Sequence, residues 1–205
     1  TLCETDVAVA RVIDAQYSQP YPHTSNAAVA VAERTIELFS EFCSDRPMSR
    51  VLDIGCGCGR TAFELAAGGF ENVYGVDLST RFIRIASQLQ SHGLVQYTLR
   101  SEGDLETFHE FDLRSSSLYD TRAKCEFWQA DACNLDPKYT DYDCVVASQL
   151  LEYLYSPASF LSMLHTRIRP GGLLVLASSY NWNEQFTPRT EWLGGMKQDG
   201  ENVTS

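Results

Sequence analysis

Positive charge is scarce in this 205-residue chain: 16 Lys and Arg stand against 27 Asp and Glu, for a net charge of −11. Nucleic-acid binding needs clustered Lys and Arg to neutralise phosphates, so no nucleic-acid partner is expected and a small-molecule substrate fits better. No run of about 18 uncharged apolar residues occurs, and no basic segment followed by an apolar one opens the chain. The expectation is a cytoplasmic protein with no membrane partner. Paired cysteines are also lacking. The seven, Cys3, Cys43, Cys56, Cys58, Cys125, Cys133 and Cys144, form an odd set, several of them in apolar runs where they resemble small core residues. Disulfides are therefore not implied. Cys56-x-Cys58 has neither the usual two-residue spacing nor a second ligand pair, so no metal site is expected.

The length suits a single domain, 1–205, with a sizeable core. Its first part, 1–48, reads as a helical lid region: Val7, Val9 and Ile13, then Ala28, Val31, Ala32, Ile36 and Phe39, fall at helical spacing. Between those two helices, Pro20 and Pro22 break the pattern in an aromatic loop, and Ser25 or Asn26 can cap the second helix. From 49 to 178 short β-rich runs (51–54, 73–76, 125–129, 142–147, 173–177) alternate with helical stretches (61–67, 81–90, 158–168). Such alternation is the mark of an α/β fold with a parallel sheet and crossover helices, here of five strands. The polar segment 96–124 reads as an added β-hairpin, with a solvated disordered loop as the alternative. An aromatic segment, 179–205, follows without regular periodicity.

Chemistry concentrates at Val51-Leu52-Asp53-Ile54-Gly55-Cys56-Gly57-Cys58-Gly59-Arg60, an apolar strand running into three alternating glycines. Glycine has no Cβ and tolerates positive φ, so the turn can be sharp and a ligand can lie against main-chain atoms. A helix beginning just afterwards offers free N–H groups. Val73-Tyr74-Gly75-Val76-Asp77 reads as a second strand ending in a carboxylate, at the spacing of about 20 residues from which an acidic side chain reaches ribose hydroxyls. The glycines do not follow the G-x-G-x-x-G spacing of dinucleotide folds.

This loop, with Asp77, with Gln129-Ala130-Asp131-Ala132 ending a third apolar run and with Arg169-Pro170-Gly171-Gly172 before a fifth, resembles the seven-strand, class I S-adenosylmethionine (SAM) methyltransferases. The resemblance implies a Rossmann-like three-layer sandwich, with the last two strands of its sheet missing from this chain. It implies SAM as cofactor, S-adenosylhomocysteine as co-product, and a site formed by Asp53, Gly55, Cys56, Gly57, Arg60, Asp77, Leu78, Ser79, Asp131, Ala132, Cys133 and Ser148. Asp77 would take both ribose hydroxyls, Asp131 the adenine amino group, and Asp53 would orient the loop and help with the methionine ammonium. Asp77 read without the resemblance is also a helix N-cap.

A narrower resemblance rests on Asp131-Ala132-Cys133-Asn134-Leu135, on the run from Arg167 to Leu176, on Phe186-Thr187-Pro188-Arg189 with Trp192-Leu193-Gly194-Gly195, and on Arg81-Phe82-Ile83. Together these are similar to the C-terminal methyltransferase module of ovothiol-biosynthesis enzymes, over nearly the whole chain. Cys56 and Cys58 depart from that family's loop. What is implied is methylation of an imidazole nitrogen of 4-mercaptohistidine (5-thiohistidine) to give ovothiol A, with an iron-dependent sulfoxide synthase module as fused or separate partner. No catalytic base is singled out, and a strong one is not expected, because the transfer is an in-line displacement that needs alignment above all. Candidates for positioning the acceptor are Tyr17, Tyr21, Asn26, Gln149, Glu152, Tyr153, Tyr180 and Trp182. Alternatives are methylation of another small metabolite, a degenerate SAM-binding or partner-binding domain, and an NAD-dependent dehydrogenase, the last disfavoured by the glycine spacing.

Overall fold

Helical spacing of apolar residues organises the N-terminal part, where the computed structural model, which describes residues 4–18, 26–198 and 201–204, begins with α1 (Asp6–Tyr17). Val9, Ala10, Ile13 and Tyr17 are its buried face. The second helix, α2 (Ala27–Phe42), starts at Asn26, whose Oδ1 accepts the N–H groups of Ala28 at 3.0 Å and Val29 at 3.4 Å. Of the two residues expected as caps, Asn26 serves and Ser25 lies outside the described residues.

The alternating pattern then builds β1 (Arg50–Ile54), α3 (Arg60–Ala67), β2 (Asn72–Asp77) and α4 (Thr80–His92). An antiparallel hairpin follows, β3 (Leu94–Glu102) with β4 (Leu105–Asp112), and then the short α5 (Leu118–Thr121). The core resumes with β5 (Cys125–Gln129), β6 (Tyr142–Ser148), α6 (Pro157–Leu164) and β7 (Ile168–Ala177). Five strands pair in parallel in the order β5-β2-β1-β6-β7. The fold is Rossmann-like α/β, as expected. The order reverses beside β1, and the carboxyl ends of β1 and β6 at such a reversal are the usual ligand site of open α/β sheets.

Period-two alternation gives the sheet two covered faces. Val51 and Val73 join a core with Phe39, Phe63 and Leu89, whereas Leu52, Ile54 and Val76 join another with Tyr142, Val145 and Phe160. Within the segment 96–124 a hairpin forms as far as Asp112, because Val95 and Tyr97 alternate inward, at 1% and 9% exposure, and pack into the first core, and short helical turns fill the rest. Among the described residues no strand lies beyond β7 in the main sheet. The remaining strands, β8 (Met196–Gln198) and β9 (Glu201–Val203), pair only with each other, a hairpin for which the sequence offered no periodicity.

Candidate active site

All five parallel strands end on one edge, and the glycine loop leaves β1 there. Gly55, Gly57 and Gly59 all have positive φ, 78°, 56° and 92°. The turn is pinned to β2: the N–H groups of Gly55 and Cys56 donate to the Val76 carbonyl at 2.8 and 3.1 Å. Gly57 donates to Asp77 Oδ2 at 2.9 Å and Ser79 to Asp77 Oδ1 at 2.9 Å. Asp131 comes to the same edge because the Ala130 N–H donates to the Asp77 carbonyl at 2.9 Å. Its two oxygens accept the Cys133 N–H at 2.8 Å and the Tyr155 hydroxyl at 3.0 Å. Leu78, 57% exposed, and the half-buried Ser148 and Cys133 sit on the rim, with Ala132 buried beneath it.

Asp53 is the outlier in this network. Its side chain is buried at 2% exposure, and Oδ2 has no hydrogen-bond partner among the described residues. Burial, reinforced by the neighbouring Asp77 carboxylate, pushes its pKa from 3.8 up to about 7. Burial raises Asp77 as well, against the lowering effect of the Ser79 and Gly57 N–H groups. A buried carboxylate with an unused oxygen is costly unless a donor, best a cation, reaches it. The ammonium of an amino-acid ligand supplies such a group.

Several expected cofactor contacts also brace the fold. Arg60 pairs with Glu64 at 2.7 Å and donates to the Gln16 carbonyl at 3.2 Å, so its charge fastens α1 to α3. Ser79 is the N-cap of α4, its hydroxyl accepting the Phe82 N–H at 3.3 Å. Cys56 and Cys58 are buried, and burial raises the pKa of both thiols. Cys56 faces inward against Gly75, where an added Cβ would meet its Sγ at 3.1 Å.

The acceptor candidates divide in the same way. Tyr17 is buried at 3% exposure, donates to the Cys58 carbonyl at 2.9 Å and packs its ring 4.9 Å from Phe111, so it props the glycine loop instead of presenting a face to a substrate. Asn26 spends both N–H groups on the carbonyls of Ala15 and Gln16, at 3.1 and 3.0 Å, and both lone pairs on its helix cap. Glu152, 4% exposed, is a knot: it accepts from the Ser178 hydroxyl at 2.9 Å, the Ser179 hydroxyl at 2.6 Å and the Ser179 N–H at 3.2 Å. Burial pushes its pKa up, yet those bonds together hold it below the ordinary 4.5. Trp182 is 9% exposed within the second core, stacked on Trp192 at 6.5 Å, so it is packing. Tyr21 lies outside the described residues.

What remains exposed at the rim is Gln149, Tyr153 and Tyr180. Tyr153 packs its edge on Phe186 at 4.8 Å. Gln149 and Tyr180 adopt left-handed backbone, φ 51° and 52°, rare for non-glycine residues and concentrated at functional sites. The Glu152 knot supports the second of these, since the Ser178 hydroxyl that it holds accepts the Tyr180 N–H at 3.1 Å. Sequence reasoning missed Tyr155, Ser178, Ser179 and, above all, Gln16. A polar residue in register with Val9 and Ile13 on the apolar face of α1 was the available signal.

A methyltransferase domain profile matches residues 24–200. The chain belongs to that methyltransferase family. Its cofactor is SAM, whose cationic amino-acid end suits the orphaned Asp53 oxygen and whose ribose suits the Asp77 carboxylate. Among curated relatives, a malonyl-(acyl-carrier protein) O-methyltransferase of Halalkalibacterium halodurans is 26% identical over 85% of this chain and 58% of its own length. A tRNA U34 carboxymethyltransferase of Idiomarina loihiensis is 28% identical over 62% of this chain and 32% of its own. The chain thus spans well under two thirds of either relative. The CcbJ methyltransferase of Streptomyces caelestis superimposes with a TM-score of 0.53 at 19% identity, over 84% of this chain and 57% of that one, which speaks for the fold alone.

Proposed function

We propose that this SAM-dependent methyltransferase acts on a small molecule and methylates an imidazole nitrogen of 4-mercaptohistidine to give ovothiol A. The observation that carries the reading is the exposed aromatic rim on the acceptor side, Tyr153 with Phe186 and the strained Tyr180, next to Gln149. Flat rings favour a flat acceptor, and Gln149 offers both a donor and an acceptor to its polar end. The likeness of 131–135, 167–176 and 186–195 to ovothiol-type modules points the same way. On that reading an iron-dependent sulfoxide synthase module, fused or separate, supplies the thiohistidine. The net charge of −11 argues against a polyanionic acceptor such as tRNA. No helix among the described residues is long and apolar enough to cross a membrane, and a cytoplasmic location is part of the proposal.

SAM supplies an electrophilic methyl group, and the chain's task is alignment. Asp77 is assigned the ribose hydroxyls, Asp131 the adenine amino group, and Asp53 the ammonium. Leu78 is assigned an apolar contact with the base. Tyr155 orients Asp131, and its own pKa is pushed up to about 12 by that bond. No side chain at the rim is asked to remove a proton before transfer, since an imidazole nitrogen carries its own lone pair. Incubation with SAM and either histidine, 4-mercaptohistidine or other metabolites, followed by mass spectrometry, tests the reading. The mass of one added methyl on 4-mercaptohistidine alone is expected; methylation of a different metabolite reassigns the substrate.

A further inference from the structure

Gln16 stands at the end of α1, far from the glycine loop in sequence and directly on it in space. Its Oε1 accepts the Cys58 N–H at 3.0 Å and its Nε2 donates to the Cys56 carbonyl at 3.2 Å. One side-chain amide thereby brackets Gly57 from both sides. Reversing the amide would set donor against donor and acceptor against acceptor, so its orientation is determined by the bonds. The fit is close: a Cβ on Gly57 would lie 2.6 Å from Nε2.

Neighbouring residues hold Gln16 in place. Its carbonyl accepts from Arg60 Nη1 at 3.2 Å and from Asn26 Nδ2 at 3.0 Å, and the adjacent Tyr17 hydroxyl donates to the Cys58 carbonyl at 2.9 Å. The inserted hairpin supports the same helix end, through Tyr97 Oη donating to Asp14 Oδ1 at 2.9 Å and through Phe111 against Tyr17. The loop so clamped leads out of β1 just after Asp53, the buried carboxylate with an unpartnered oxygen.

We propose that Gln16 is a positioning residue for the amino-acid end of SAM, setting the peptide planes of Cys56-Gly57-Cys58 in the orientation which that end requires. The proposal rests on the assignment of the glycine loop and Asp53 to the amino-acid end and of Asp77 to the ribose. It separates the two ends of the cofactor. Asp77 keeps the Ser79 N–H whatever Gln16 does, and only its bond to the Gly57 N–H belongs to the clamped loop, so ribose recognition loses less than the amino-acid end.

Calorimetric titration with SAM and with 5′-methylthioadenosine, which has the adenosine but no amino-acid end, tests this on the intact chain. Gln16→Ala and the equally long Gln16→Met should both bind SAM about tenfold more weakly, the loss of two neutral hydrogen bonds. Binding of 5′-methylthioadenosine should stay within about threefold of wild type, a shift under 1 kcal/mol. Equal weakening of both ligands would make Gln16 a general structural brace and overturn the proposal, as would unchanged SAM affinity in both variants. Full affinity in Gln16→Met with loss in Gln16→Ala would assign the effect to packing and also overturn it. Asp77→Ala is the control: it should weaken both ligands, and unchanged binding there would overturn the site assignment itself.

Discussion

Asp77 ties the glycine loop to the start of α4, and the proposed ribose role adds to that structural one. Its two oxygens already accept the Gly57 and Ser79 N–H groups, and an ionised carboxylate has about four acceptor positions, so lone pairs remain for two ribose hydroxyls. Asp77→Ala should therefore weaken SAM binding by tenfold or more, at about 1.5–3 kcal/mol for each bond to a charged group. Calorimetry on the folded variant checks it, and unchanged affinity removes the ribose role. Gly57 is required for two reasons, its left-handed φ of 56° and the Gln16 amide against it. Gly57→Ala should lose about 1 kcal/mol of stability from backbone conformation alone, and more from the clash. In a Gln16→Ala background the clash part should vanish while the backbone part persists. Additive melting losses across that double-mutant cycle would disprove the contact.

At the scale of elements, the Glu152 knot joins the turn after β6 to the segment after β7. Thr187 reinforces it by sharing its one hydroxyl proton between the Glu152 and Leu154 carbonyls, at 3.0 and 2.7 Å. Breaking the knot with Glu152→Ala should cost about 1.5–3 kcal/mol in urea unfolding. Because Ser178 then loses its anchor and Tyr180 its support, KM for the acceptor should rise while SAM affinity holds. An unchanged acceptor KM would confine Glu152 to stability. Asn26 links elements in the same manner, capping α2 while tying it to the end of α1. Side chains of this kind look like surface polar residues in the sequence, because their partners come from distant elements.

For the whole molecule, the raised pKa of Asp53 makes stability depend on pH. Between the ordinary carboxylate value of 3.8 and about 7, the native state holds a proton that the unfolded chain has released. The native state binds more protons in that window, so the Asp53 contribution to stability declines as pH rises through it. Glu152, lowered below 4.5, acts the other way, and only in more acidic solution. Melting of the ligand-free protein from about pH 5 to about pH 8 should show a decline that Asp53→Asn flattens. SAM affinity should rise over the same range, since an ammonium prefers the ionised carboxylate. Parallel melting curves for wild type and Asp53→Asn would remove Asp53 as the group responsible.

The sequence by itself determined the five parallel strands, their helices, the glycine turn and the carboxylate at the end of β2, because alternation, helical spacing and glycine chemistry act over a few neighbouring residues. It also determined which residue types crowd the carboxyl edge. It left the 96–124 segment open between hairpin and loop, and only the inward packing of Val95 and Tyr97 on the first core decides that. Tertiary structure alone decided which polar side chains remain available. Tyr17, Asn26, Glu152 and Trp182 read as candidates for an acceptor, yet each is consumed by partners 10 to 41 residues away, as in the Trp192, Asn26–Ala15 and Tyr17–Cys58 contacts. Gln16 reached the glycine loop by the same route. Whether a polar group faces a ligand or a backbone depends on what the folded chain brings within about 3 Å of it, and no local pattern encodes that distance.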